Sequence, residues 1–241
     1  DAVGKDSNVV IEKENQKAVI RYVSTNGNRV LTTDEVTGKS GEAIAYSTTS
    51  QITEFKKQGY NLVSDEFTSG GAKVYDYDTA RDQVYTVTLS ERVEPVNPDN
   101  PSPQPNTPVN PGQPDSPRWP GTVENLDNKE SVSRTIHYVY EDGSKAKDDV
   151  VETLNFKRWS NVNLVTGHID FQDWTTNDDT FDKVVSPTIA GYTADKSEIP
   201  AVSGVQAKDQ DRVETVTYRK DAQKAIIRYV STNGNRVLTT D

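Results

Sequence analysis

The sequence predicts an α+β chain that is mostly β: two β-grasp (ubiquitin-like) domains in tandem, elongated, and joined by a proline-rich spacer. Three observations carry this. Residues 16–34 (QKAVIRYVSTNGNRVLTTD) recur at 223–241 (QKAIIRYVSTNGNRVLTTD) with only Val19 replaced, by Ile226. A spacing of 207 residues means repetition of a large unit. Apolar alternation around Asn26-Gly27, then a helical pattern, then further strands is the order of a sheet with one helix across it. Finally, ten of the twelve prolines fall within 95–120.

Taken in order, residues 1–15 read as the tail of a preceding repeat, because Val9–Glu14 shifted by the same period falls on the strand Val216–Asp221. The first domain spans 16–94. It opens on a hairpin whose Asn26-Gly27 suits a type I′ turn, with positive φ at both central residues. Thr48 and Gln51 have the spacing of a capping box, Ile52 and Phe55 share a helical face, and Gly59 suits a C′ position, which predicts a helix near 49–58. Tyr60–Val63, Lys73–Tyr77 and Val84–Ser90 read as strands. Residues 95–120 read as an extended polyproline spacer reaching roughly 80 Å at about 3.1 Å per residue. A ligand for a proline-binding groove, helped by Trp119, is the alternative.

The second domain, 121–220, echoes the first. Ile136–Gly143 aligns with Ile20–Gly27, Gly191-Tyr192 with Gly59-Tyr60, and Val213–Tyr218 with Val84–Leu89. Its longer middle suggests an extra strand pair from 151–158 and 162–174, turning at Thr166-Gly167, and a short helix over 181–185 stopped by Pro187. Residues 221–241 read as the truncated start of the next repeat, with an apolar face lacking its cover; fraying, or pairing with a neighbouring sheet edge, is expected there.

Composition narrows the function. The net charge of -10 argues against phosphate-backbone binding, so nucleic acid is not an expected partner. No apolar run is long enough for a membrane span. Absent cysteine removes thiolate ligands and cysteine nucleophiles. The two histidines, His137 and His168, lie apart, and Thr37-Gly38-Lys39-Ser40 lacks the leading glycine of a phosphate loop, having Thr33 there. No catalytic residues, and hence no enzyme, are expected. Asp178, Asp179 and Asp182 could supply oxygens to calcium, although such clusters commonly make turns, and no other cofactor is expected. Trp159 and Trp174 could stack against sugar rings; packing in the core is the plainer expectation for both.

The run GHIDFQDWTTNDDTFDKVVSPTIAGYTADKSEIPAV (167–202) with VETVTYRK (213–220), and TTSQITEFKKQGYNLVSDEF (48–67) with DQVYTVTL (82–89), resemble the two halves of mucus-binding (Mub, MucBP-type) repeats of Gram-positive lactobacillal surface proteins. The resemblance implies large adhesins anchored to the cell wall outside the cell, binding mucin glycoproteins, with immunoglobulin binding by some repeats. It implies neighbouring repeats of the same chain as further partners. The proline-rich stretch inside the period departs from a compact two-domain rod. Three readings follow: multivalent weak contacts to mucin glycans, protein binding through a sheet edge, and a structural stalk.

Overall fold

The computed structural model describes residue 4 and residues 11–241. Most of the expected N-terminal tail, residues 1–3 and 5–10, therefore lies outside the described residues. Contacts divide the chain into two compact units. The first takes the residues through Asn128 together with Arg158–Asp173, and the second takes Lys129–Lys157 and Trp174–Asp241. The sequence-defined second domain thus gives up 121–128 and 158–173 to the first unit.

In the first unit, β1 (Asn15–Ser24) and β2 (Val30–Lys39) form the expected hairpin. Helix α1 (Thr49–Lys57), β3 (Tyr60–Asp65) and β4 (Gln83–Glu91) follow. The sheet order is β2-β1-β4-β3, with β1 and β4 parallel and the other pairs antiparallel. Alternation along β1 buries Ala18, Ile20 and Tyr22 under the helix residue Phe55. Phe55 in turn meets Tyr60 edge-on, ring centroids 5.6 Å apart.

Three local expectations are corrected. The positive φ values fall on Gly27 and Asn28, not on Asn26. Ser24 N–H donates to Arg29 O, so the turn is a four-residue loop, and the Asn26 side chain is drawn off to Glu91. The capping box is not formed: Thr48 Oγ1 donates to Asp65 Oδ2 (2.6 Å) and Gln51 reaches Asp34. Lys73–Tyr77 is no strand but a single bridge, Val74 to Ala43, because the Gln83 side-chain amide satisfies Val74 O and Asp76 N–H.

Asp65 organises the turn after β3. It accepts from the Thr48 and Thr68 hydroxyls and the Phe67 and Thr68 N–H groups. Burial acts to raise its pKa, but these hydrogen bonds outweigh burial and hold the carboxyl below the ordinary range. A depressed folded pKa means the stabilisation is complete above the unfolded value, about 3.9, and is lost as pH falls through the folded value. The melting-temperature gap between wild type and Asp65→Asn should therefore narrow on acidification below about pH 4; a gap independent of pH counts against it.

The proline-rich stretch is not an extended spacer. Strand β5 (Val93–Val96) pairs with β8 (Ser160–Asn163), which pairs with β9 (Ile169–Phe171), giving a three-stranded sheet β5-β8-β9. Gly167 closes the β8–β9 turn where the sequence places it, but the expected partner 151–158 is not in this pair: residues 151–157 lie in the strand Lys145–Lys157, which pairs with Lys129–Tyr140. Residues 106–109 and 117–119 then fold against each other through Asn106 N–H to Trp119 O, Trp119 N–H to Thr107 O and Val109 N–H to Pro117 O. Val109 and Trp119 pack on a cluster of Val96, Val123, Val162 and Leu164. Proline bars a continuous ladder, but this apolar cluster supplies a reason to fold back that composition conceals.

The second unit repeats the plan. β6 (Lys129–Tyr140) and β7 (Lys145–Lys157) form a long hairpin. β10 (Val184–Val185) pairs with β12 (Glu198–Ile199), and β11 (Tyr192–Ala194) joins β13 (Arg212–Lys220) in the sheet β11-β13-β6-β7. The parallel register is the same in both units. Ile20 faces Tyr85 in the first and Ile136 faces Glu214 in the second, as the sequence alignment requires. Among the described residues the second unit has no helix. The helix expected over 181–185 is replaced by a Phe181–Val202 bridge and by β10, where two β-branched valines favour extended backbone.

The second copy of the repeated stretch forms β14 (Arg228–Val230) and β15 (Val237–Thr240), a two-stranded sheet standing alone. It neither frays nor pairs with another sheet edge, contrary to expectation. Its turn repeats the local bonds of the first copy, Ser231 N–H to Arg236 O and Asn233 N–H to Ser231 Oγ, which need no core.

Candidate functional site

β7 is an outer strand, and only part of its free edge is covered. Lys157 and Thr175 exchange backbone hydrogen bonds of 3.0 and 2.8 Å, and Thr176 Oγ1 donates to Asn155 O at 2.7 Å. Past Thr176 the chain turns at Asn177-Asp178, leaving a cleft of about 460 Å³ along Thr153, Asn155 and Lys157. Lys129 lies directly across the ladder from Lys157 and lines the same cleft. Like charges opposite one another destabilise a strand pair. Hydroxyls, amides and ammonium groups share this lining with the carboxylates of Glu130 and Asp178, making a hydrogen-bonding surface. A second hollow of about 290 Å³ shares Phe156 and Thr176 and is backed by Trp174 and Val205–Ala207.

The two candidate tryptophans part company. Trp174 packs against the cluster of Val132, Leu154 and Phe181, with Lys208 Nζ 5.9 Å from its ring centroid. That is the core role expected of it. Trp159 is 42% exposed, which corrects the core expectation for this residue. It immediately precedes β8, where Ser160 and Val162 take the buried face, so alternation turns the indole outward.

The carboxylates of two candidate calcium ligands, Asp178 and Asp179, bond to the local chain, and Asp182 is held by its backbone. Asp178 Oδ1 accepts from Thr180 N–H, Asp179 Oδ1 from the Thr180 hydroxyl, and the Asp182 backbone N–H donates to Glu152. Among the described residues, no three His, Asp or Glu side chains are grouped as a metal would need. His137 and His168 are both exposed, each 2.8–2.9 Å from a neighbouring aspartate, Asp149 and Asp170. Gly38 and Lys39 lie within or at the end of β2, not at a strand-to-helix turn, so the phosphate-loop likeness has no structural counterpart.

Sequence reasoning missed Arg134. Its side chain is 1% exposed, donates to Asp182 O and Pro200 O, and stacks 5.2 Å from the Phe181 centroid. Its phase with Val132, Ile136 and Tyr138 was the available signal of an inward face, masked by its charge. The Tyr22–Tyr46–Asp34 chain was equally hidden: Tyr46 hydroxyl donates to Asp34 at 2.5 Å and lies 2.5 Å from Tyr22 hydroxyl. Burial, then the Asp34 carboxylate, pushes the Tyr46 phenol far above its ordinary range, which fixes it as a donor.

Residues 16–91 match the family model described as a mucin binding domain, and residues 123–222 match that of a Muc B2-like domain. A MucBP domain of an adhesion protein from Pediococcus pentosaceus is 35% identical, covering 38% of this chain and 99% of that one, with a TM-score of 0.34. The chain belongs to the mucin-binding MucBP/Mub family. Two solved Mub repeats span most of it. The type 2 repeat of the mucus binding protein MUB from Lactobacillus reuteri is 28% identical, covering 86% of this chain and all (100%) of that one, at a TM-score of 0.56. Mub-RV is 26% identical with the same coverage, at a TM-score of 0.67. No curated protein matches the chain. The mostly β architecture of this Mub-type chain, with its single α-helix among the described residues, agrees with those two repeat structures. Among the described residues no helix is long and apolar enough to cross a membrane.

Proposed function

We propose that this Mub-type chain is a repeat of an extracellular, cell-wall-anchored adhesin of a Gram-positive bacterium, and that it binds mucin glycoproteins through their glycans. The observation that carries the reading is the pair of family matches, at 16–91 and 123–222, each lying on one of two sheets with the same strand order and register. Both sheets are read as variants of the β-grasp, the second without its helix. The described clefts are open hollows lined by hydroxyl, amide and charged side chains, which favours shallow, weak contacts repeated along the chain. Linked weak sites gain avidity through effective concentration, by roughly 10²–10⁴ where geometry permits.

Surface plasmon resonance on immobilised mucin tests this. Enzymatic deglycosylation of the mucin should abolish binding, and a protein carrying several linked copies should dissociate much more slowly than one. Undiminished binding after deglycosylation would replace the glycan reading with protein recognition at an open edge such as β3, where Leu62 and Val63 are exposed.

A further inference from the structure

The sheet β5-β8-β9 has two unlike faces. Val96, Val162 and Leu164 belong to the buried cluster, and Arg158, on the same side as Ser160, stacks 3.9 Å over the Phe171 ring. The opposite face carries Trp159 and Asn161 from β8 and its approach. Cross-strand partners set their neighbours. Gln172 N–H donates to Trp159 O at 2.9 Å, and Asn161 pairs with Asp170 on one side and with Pro95 on the other. The His168 and Asp170 side chains, 2.9 Å apart, lie farther along this face and are 68% and 76% exposed.

An indole left 42% exposed is costly to hydrate, and this one, one residue before β8, shares its face with the carboxamides of Asn161 and Gln172 and with the carboxylate of Asp170 opposite Asn161. That combination is the chemistry of sugar recognition. The apolar C–H face of a pyranose lies on an aromatic ring, while planar amide and carboxylate groups at its edge take the hydroxyls. Alternation places no lysine or arginine on this face, and Asp170 gives it negative charge. A carboxylated or sulfated sugar is therefore disfavoured there, and an uncharged one is accepted.

We propose that the Trp159 face of β5-β8-β9 binds an uncharged pyranose of a glycan chain, with the indole as platform and Asn161, Asp170 and Gln172 as hydrogen-bonding edge. This rests on the reading of the chain as a glycan-binding repeat and assigns that binding to one surface. The test uses the full 241-residue chain. Lactose and N-acetylgalactosamine, titrated separately, should shift the Trp159 indole N–H resonance, whereas sialyllactose should bind more weakly than lactose. Trp159→Ala should lower mucin binding roughly tenfold with an unchanged melting temperature, and Trp159→Phe should restore part of it. Glycan-dependent mucin binding by wild type that Trp159→Ala leaves intact overturns the assignment while sparing the proposed function. A preference for sialyllactose at the Trp159 resonance overturns the uncharged class. Wild type that ignores mucin altogether overturns the function and this inference with it.

Discussion

Replacing Arg134 by alanine should destabilise the second unit by about 3–5 kcal/mol, the largest loss expected from any single substitution there. The guanidinium donates to the carbonyls of Pro200 and Asp182, for which no other donor stands among the described residues, and it lies 3.5 Å from Glu152. Those carbonyls belong to the irregular run between β7 and β13 that lacks a helix to organise it. Truncation would leave them without a partner, leave Glu152 without its cation, and open a void beside Phe181. Arg134→Met should be milder, about 2 kcal/mol, since it refills the volume and also removes Nε, which is buried without a hydrogen-bond partner. Urea denaturation gives the ranking, and amide exchange at Phe181 and Val202 locates it. Equal losses for the two variants would show that volume matters little and that the lost hydrogen bonds and ion pair account for the whole effect.

The second large effect is expected at Gly59, and its sequence counterpart Gly191 provides the control. Both have positive φ, 103° and 81°. A Cβ on Gly59 would come within 2.8 Å of the Leu164 carbonyl carbon and oxygen, whereas one on Gly191 would meet nothing within 4 Å. Backbone cannot swing aside as a side-chain end can. Gly59 O also accepts from Arg92 N–H, whose own carbonyl accepts from Leu164 N–H, so a shift would propagate into the β8–β9 turn. Gly59→Ala should cost about 3 kcal/mol or more, combining strain with overpacking. Gly191→Ala should cost about 1 kcal/mol, from φ alone. Parallel thermal melts decide: similar losses at the two positions would show that the approach of Leu164 adds nothing.

What could be read in the sequence follows from where the physical signal resides. The paired strands β1/β4 and β6/β13 carry it locally, in alternation and in alignable motifs such as Gly59-Tyr60 and Gly191-Tyr192, and the structure returns the same register in both. Helix α1 was legible from Ile52, Phe55 and Gly59, but its capping was not, because Thr48 prefers Asp65, a residue brought near only by folding. The proline-rich stretch was misjudged because its partners, Val162 and Leu164, are remote in sequence. The helix expected over 181–185 failed for a similar reason, since Val202 and Ile199 claim its backbone. Trp159 and Trp174 look alike in sequence, and only the strand phase and the surrounding fold tell the exposed indole from the packed one.

The pairing of β5 with β8 has a consequence under tension. Val96 faces Ser160, so these short strands close a loop of chain running from 97 to 159, which includes β6 and β7. The two strands are antiparallel, and a pull on the chain outside the loop enters at the Val93–Asn163 end. Their bonds are then loaded one after another, and the closure unzips. The central pairs β1/β4 and β6/β13 are parallel, so a pull on the start of one strand and the end of its partner loads every bond together, in shear. A chain strained by flow would thus yield first at the small sheet and pay out residues 97–128, about 110 Å at about 3.4 Å per residue, while β6 and β7 stay held in their sheet.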